Sequence, residues 1–206
     1  MFSSLTAGII FGLSAGLTPG PLLALLVAQT LKHNTREGIK VAIAPLITDL
    51  PIILVSFFVL SQLANTKFFL GIISLVGGMY VFYLSYETFR TKHFNPGEAE
   101  GEPRSLRKAW LVNTLNPHPY LFWLTVGVPV VSKAYQENPI SLLVFVMGFY
   151  VMLVGSKISL ALAVGKSRSF LMSRGYVLGM RVLALLLAVF AILLLKDGGT
   201  LLGMLR

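Results

Sequence analysis

The chain has 206 residues, of which 55% are hydrophobic and only 12% charged, and its mean hydropathy is +0.79. A soluble domain carries about a quarter charged residues, so this composition excludes disorder, a secreted disulfide scaffold and a nucleic-acid module. The absence of cysteine removes thiol catalysis, Zn–thiolate sites and Fe–S clusters as well.

Six apolar runs follow one another. Residues 1–31 carry no charge, and 41–66 carry only Asp49. Runs 68–86 and 109–132 are uncharged, 138–165 contains only Lys157, and 175–195 contains only Arg181. Each run is 19 residues or longer, and a helix needs about 20 apolar residues to cross a bilayer. The expected fold is therefore an all-α membrane protein with six transmembrane helices. The first run lacks a basic n-region and is too long for a signal-peptide core. The polar–apolar alternation of barrel strands is missing.

The formal charge of +9 lies mainly in the gaps between runs. Lys32, Arg36 and Lys40 follow the first. Arg90, Lys92, Arg104, Arg107 and Lys108 follow the third, and Lys166, Arg168, Arg174 and Arg181 follow the fifth. The other side holds Lys67, Lys133, Lys196 and Arg206, so twelve basic residues face four. This asymmetry predicts a cytoplasmic location for the three basic gaps, places both termini outside, and makes the lipid bilayer the partner in place of nucleic acid. The longest gap holds Asn95-Pro96-Gly97, Glu98, Glu100, Glu102 and Pro103, the composition of a solvated linker. It divides the chain into a three-helix repeat (1–90), a cytoplasmic linker (91–108) and a second three-helix repeat (109–206). Three spans per half make the halves enter the membrane in opposite senses, as inverted repeats do.

The first span of each half carries a proline doublet: Thr18-Pro19-Gly20-Pro21 and Asn113-Thr114-Leu115-Asn116-Pro117-His118-Pro119. Proline removes a donor and frees the carbonyl four residues back, here those of Ala15, Leu17, Asn113 and Leu115. Freed carbonyls in lipid must face protein or a water-filled cavity, and broken spans in equivalent places point to a transporter's binding site. A simple kink is the plainer alternative. Gly8, Gly12, Gly16, Gly20, Ala24 and Ala28 recur every fourth residue and read as a packing seam. Such a seam allows a homodimer without demanding one.

Asp49 lies nine residues from Lys40, on the order of 13 Å into its span, too deep for its short side chain to reach the interface. A charge there costs roughly 3 kcal/mol or more and calls for a cavity or a partner. A bound cation or proton would offset that cost, while a lock by Thr48 or a backbone donor is the structural alternative. Lys157, on the span equivalent to that of Asp49, has three open fates: snorkelling toward Lys166, pairing with Asp49, or meeting a substrate carboxylate. Asn113 and Asn116 share one helix face and could bind freed carbonyls, a substrate or each other. His118 either handles protons and substrate or bonds locally. His33 and His93 fall in basic gaps, and Tyr80, Tyr83, Tyr86 and Trp110 read as interface anchors.

Gly16-Leu17-Thr18-Pro19-Gly20-Pro21, then Arg36-Glu37-Gly38, then Ala44-Pro45-Leu46-Ile47-Thr48-Asp49, resemble the LysE/RhtB family of amino-acid exporters. Asn116-Pro117 followed by Leu121-Phe122 is similar to the family's second motif. The sequence departs from the family pattern at Thr48, where glycine is frequent, and at His118, where lysine is common. The resemblance implies a bacterial inner-membrane secondary exporter of amino acids or related small amines, with no cofactor and with the proton gradient as driving force. Asp49 would take the amine or the proton, beside the broken backbone at Pro19, Gly20, Pro21 and Pro117. Thr48, Asn113, Asn116, His118 and Lys157 complete the candidate substrate and proton site. No phosphate-binding loop supports ATP hydrolysis, and no second acid, Ser/His pair or HExxH motif in the spans supports an enzyme. A divalent-metal exporter would want more oxygen ligands than one carboxylate. A non-transporting membrane subunit remains the other alternative.

Overall fold

In lipid a backbone must satisfy its own hydrogen bonds, which is why runs of this hydropathy fold as helices. A computed structural model of the chain describes residues 2–60, 66–90, 102–166 and 174–203. Lys92, His93, the Asn95-Pro96-Gly97 linker with Glu98 and Glu100, Arg168 and Arg206 lie outside the described residues. The first apolar run forms α1 (Phe2–Leu17) and α2 (Pro21–Lys32), the second α3 (Thr35–Leu60) and the third α4 (Thr66–Phe89). The fourth is divided among α5 (Ser105–Thr114), α6 (Pro117–Phe122), a π-helical turn (Trp123–Gly127) and α7 (Val128–Glu137). The last two are α8 (Pro139–Lys166) and α9 (Arg174–Leu201).

Four stretches are long and apolar enough to cross a membrane: Thr35–Ser56, Leu70–Phe89, Pro139–Lys166 and Val177–Leu201. Helices α1 and α2, bent by 63° at their break, make a fifth when taken together. The sixth expected span, run 109–132, is not one helix among the described residues. Its apolarity is real, but the segment Leu115–Asn116 and the π turn divide it. Proline at 117 and 119 denies the rod two donors. The result is an all-α, multi-span bundle in which α1 packs most extensively on α8, α4 on α9, and α3 on α5.

The glycine seam is present but shorter than the every-fourth-residue pattern implied. A Cβ at Gly8 would lie 2.5 Å from the Phe145 carbonyl oxygen, and one on Gly12 would strike the Phe149 carbonyl oxygen. At Gly16 it would lie 3.0 Å from the Leu153 carbonyl oxygen. These three glycines let the backbones of α1 and α8 touch. Gly20 has nothing within 4 Å of such a Cβ, because the helix has ended before it. Ala24 and Ala28, beyond the break, pack instead with Leu187 and Ala191 and with Met180 of α9. One periodicity thus serves two different interfaces, since the break turns the stripe.

At the basic end α2, α4 and α5 are tied by polar bonds. Glu87 accepts from Lys108 and lies 3.8 Å from Lys32, and Ser105 donates to Gln29 at 2.9 Å. Burial and the neighbouring cations Lys32 and Lys108 hold the His33 imidazole below its ordinary pKa. It therefore stays neutral at pH 7. Beneath this layer Leu25, Leu26, Val41, Ala42, Leu84, Ala109, Val112 and Ala161 fill the bundle.

The seam makes Gly12→Ala and Gly20→Ala an informative pair. Gly12→Ala is expected to cost about 1–3 kcal/mol by overpacking, read as a lower thermal unfolding midpoint of the purified protein. Gly20 is in extended conformation (φ −175°), which alanine adopts freely, so Gly20→Ala should unfold within error of the wild type.

Candidate functional site

Both proline doublets end a helix and start another by the same device. In the first, Thr18 N–H makes the last bond of α1, to the Ser14 carbonyl at 2.9 Å. Gly20 is extended, and Pro21 opens α2, where its missing N–H costs nothing. In the second, Asn116 is extended, its side chain accepts from the His118 N–H at 3.1 Å, and Pro117 opens α6.

Of the four carbonyls expected to be freed, those of Asn113 and Ala15 find partners, as do the neighbouring Thr114 and Gly16 carbonyls. Asn113 O accepts from Asn116 N–H at 3.3 Å, and Thr114 O accepts from the Tyr120 hydroxyl at 2.9 Å. At the other break the Lys157 ammonium donates to Gly16 O at 2.8 Å and to Ala15 O at 3.2 Å. Lys157 is only 4% exposed. This corrects two of its three expected fates. The side chain does not snorkel to the basic end, and among the described residues Asp49 has no ion-pair partner. Sequence spacing gives the reach of a lysine stem but not the nearest acceptor, which here is the broken end of α1 on the adjoining helix.

Asp49 is 5% exposed and held by neutral donors. Asn113 donates to Oδ1 at 3.2 Å and the Tyr150 hydroxyl to Oδ2 at 3.3 Å, and the Trp123 side chain also interacts with the carboxylate. Thr48 is not a donor to Asp49. Its hydroxyl accepts from Asn113 at 2.6 Å and donates to Ala44 O at 3.1 Å.

Between the two breaks lies a cavity of about 400 Å³. Eight of the ten sequence-predicted site residues line it: Pro19, Gly20, Pro21, Asp49, Asn113, Asn116, His118 and Lys157. Thr48, fully buried, and Pro117 do not; Thr48 acts one layer back, by holding Asn113. Aromatic residues missed in the sequence complete the wall. Phe122 stacks on Phe149 with ring centroids 5.4 Å apart, and Trp123 meets Phe149 edge-on at 5.5 Å. In an apolar span such rings resemble ordinary core. The one available signal was Tyr150, a hydroxyl in mid-span that needs a partner.

Toward the basic end the lining stops at Leu23 of α2, Pro45 of α3, Asn113 of α5 and Lys157 of α8. Each is eight to ten residues short of Lys32, Thr35, Ser105 and Lys166 respectively, the ends of those helices. About two to three helical turns of packed side chains therefore close the cavity on that side. Toward Phe11 and Val126, on the opposite side of the breaks, the lining continues.

Chemically, the cavity has one carboxylate and one ammonium on separate polar partners, amide and imidazole groups, and an apolar aromatic face. This is the make-up of a site for a small polar molecule. Among the described residues no group of three or more His, Asp or Glu is placed to hold a metal ion. Asn113 keeps the carboxylate in position, so Asn113→Ala should destabilise the protein by about 1–3 kcal/mol through a buried acceptor left short of donors. An unchanged unfolding midpoint would show that this bridge contributes nothing.

A family model for the LysE type translocator matches residues 13–198. No curated protein and no solved structure matches the chain. The matched span takes in both breaks, Asp49, Asn113 and Lys157, and so the whole centre of the cavity. The chain belongs to the LysE type translocator family and is a multi-pass membrane transporter of small molecules, not an enzyme.

Proposed function

We propose that this transporter is a secondary active exporter of amino acids or related small amines, driven by protons across a bacterial inner membrane. The observation that carries the reading is a membrane-depth carboxylate, Asp49, on the wall of a cavity between two broken helices. A carboxylate in that position is compensated by a proton or by the amine of a substrate, and the two would compete. Alternation between them is antiport. Asn113, Asn116 and His118 supply further hydrogen bonds, and the stack of Phe122 and Phe149 contacts the apolar part of the cargo.

The arrangement of two inverted three-helix repeats is supported by the pairing of the helices. Exchange of the halves maps the α1–α2 segment onto the α5–α7 segment, α3 onto α8 and α4 onto α9. Under it the α1·α8 contact becomes the contact of α3 with the second broken segment. The α4·α9 and α3·α8 contacts map onto themselves. With the basic end in the cytoplasm, as the charge asymmetry favours, the packed layer is a closed inner gate and the cavity belongs to the outer half.

Two experiments test this reading. In proteoliposomes, efflux of labelled amino acids and amines should accelerate when a proton gradient is imposed and slow when it is collapsed. Asp49→Asn should reduce that efflux to background at normal membrane expression; full activity in the variant would remove Asp49 from the mechanism. A reporter fused after Arg206 should behave as periplasmic, and a cytoplasmic signal would reverse the orientation.

A further inference from the structure

We propose that the Lys157 ammonium fills a cation site formed by the broken end of α1. It stands there as a tethered replacement for a free monovalent cation.

The site arises from the backbone. Pro19 has no N–H to offer Ala15 O, and Gly20, extended and already the cap of α2, turns away from Gly16 O. These carbonyls sit at the C-terminal end of a half-helix, where the aligned peptide dipoles concentrate partial negative charge. Half-helix ends of this kind, inside transporters, coordinate cations. Here the group that meets them is Lys157 Nζ, at 2.8 and 3.2 Å.

The second break shows that such a break does not require a charge. The Asn113 and Thr114 carbonyls there are met by Asn116 N–H and by the Tyr120 hydroxyl, both neutral. Nor is Lys157 brought there by an ion pair, since Asp49 is held by Asn113 and Tyr150. The contact is set by the seam: Gly8, Gly12 and Gly16 bring α8 against α1 and fix the height at which the lysine arrives. With the side chain cut back to alanine, two unpartnered carbonyls would face the cavity, with the Asp49 carboxylate on its wall. That combination attracts an alkali ion or a small primary ammonium.

The consequence for coupling rests on the transport reading above, but the binding itself does not, so the test uses unfolding. Purified wild type and Lys157→Ala are melted in choline chloride, sodium chloride and ethylammonium chloride at equal ionic strength. The wild type should show the same midpoint in all three. Lys157→Ala should melt lower in choline and be raised by about 2–4 °C or more by ethylammonium or Na+. Lys157→Met, whose stem still fills the space, should gain nothing from either cation. Equal midpoints for Lys157→Ala in all three salts overturn the inference, and so does a wild type stabilised by Na+ as much as the variant. If Lys157→Ala fails to accumulate, it is prepared with ethylammonium present throughout. Folded protein under that condition alone is the expected result, and none with either cation overturns the proposal. A cation-dependent variant in a protein that exports nothing would refute the transport reading and leave this site standing.

Discussion

In a membrane-embedded bundle a backbone carbonyl without a donor must be met by protein or by a water-filled cavity. Two proline doublets leave such carbonyls at the broken ends of α1 and α5, and most of what is distinctive here follows from how they are met. Those of Asn113 and Thr114 are met locally, by Asn116 N–H and the Tyr120 hydroxyl. Those of Ala15 and Gly16 are met from a different helix, by Lys157. The breaks divide two apolar runs into half-helices, open a cavity between the pieces, and bring polar backbone to the level of the buried acid.

The close approach of α1 to α8 makes this arrangement stable. Without Cβ atoms at Gly8, Gly12 and Gly16 the two backbones touch, so a helix that ends in mid-bundle is held along its length. The same contact delivers Lys157 to the end of α1. Packing and electrostatics therefore depend on one interface: moving α1 from α8 would expose the carbonyls and free the ammonium together.

Asp49 and Lys157 line one cavity, yet each is held on other groups, the carboxylate on neutral donors and the ammonium on backbone carbonyls, which limits the cost of burying them. The packed apolar layer of Leu25, Leu26, Val41, Ala109 and Val112, with the Glu87 tie above it, separates that cavity from the basic end.

Composition alone determined that the chain is helical and lives in lipid, because an 18-residue stretch without charge has few other physical solutions. The sites of both breaks were also legible, since proline acts through its own missing donor and needs no neighbours to be understood. Depth along a span marked Asp49 for the same reason. What the linear order could not decide was which faces meet. Thr48 looked like a site residue because it adjoins Asp49, but successive residues on a helix point about 100° apart, and the hydroxyl serves Asn113. The glycine stripe looked continuous until the 63° bend sent its second half to α9. Lys157 had three open fates on paper, and its ammonium is found on the broken end of α1, which was not among them; Phe149 was indistinguishable from core. These were decided by tertiary contact between segments from tens to more than a hundred residues apart, where a shared surface, and not any local propensity, selects the partner.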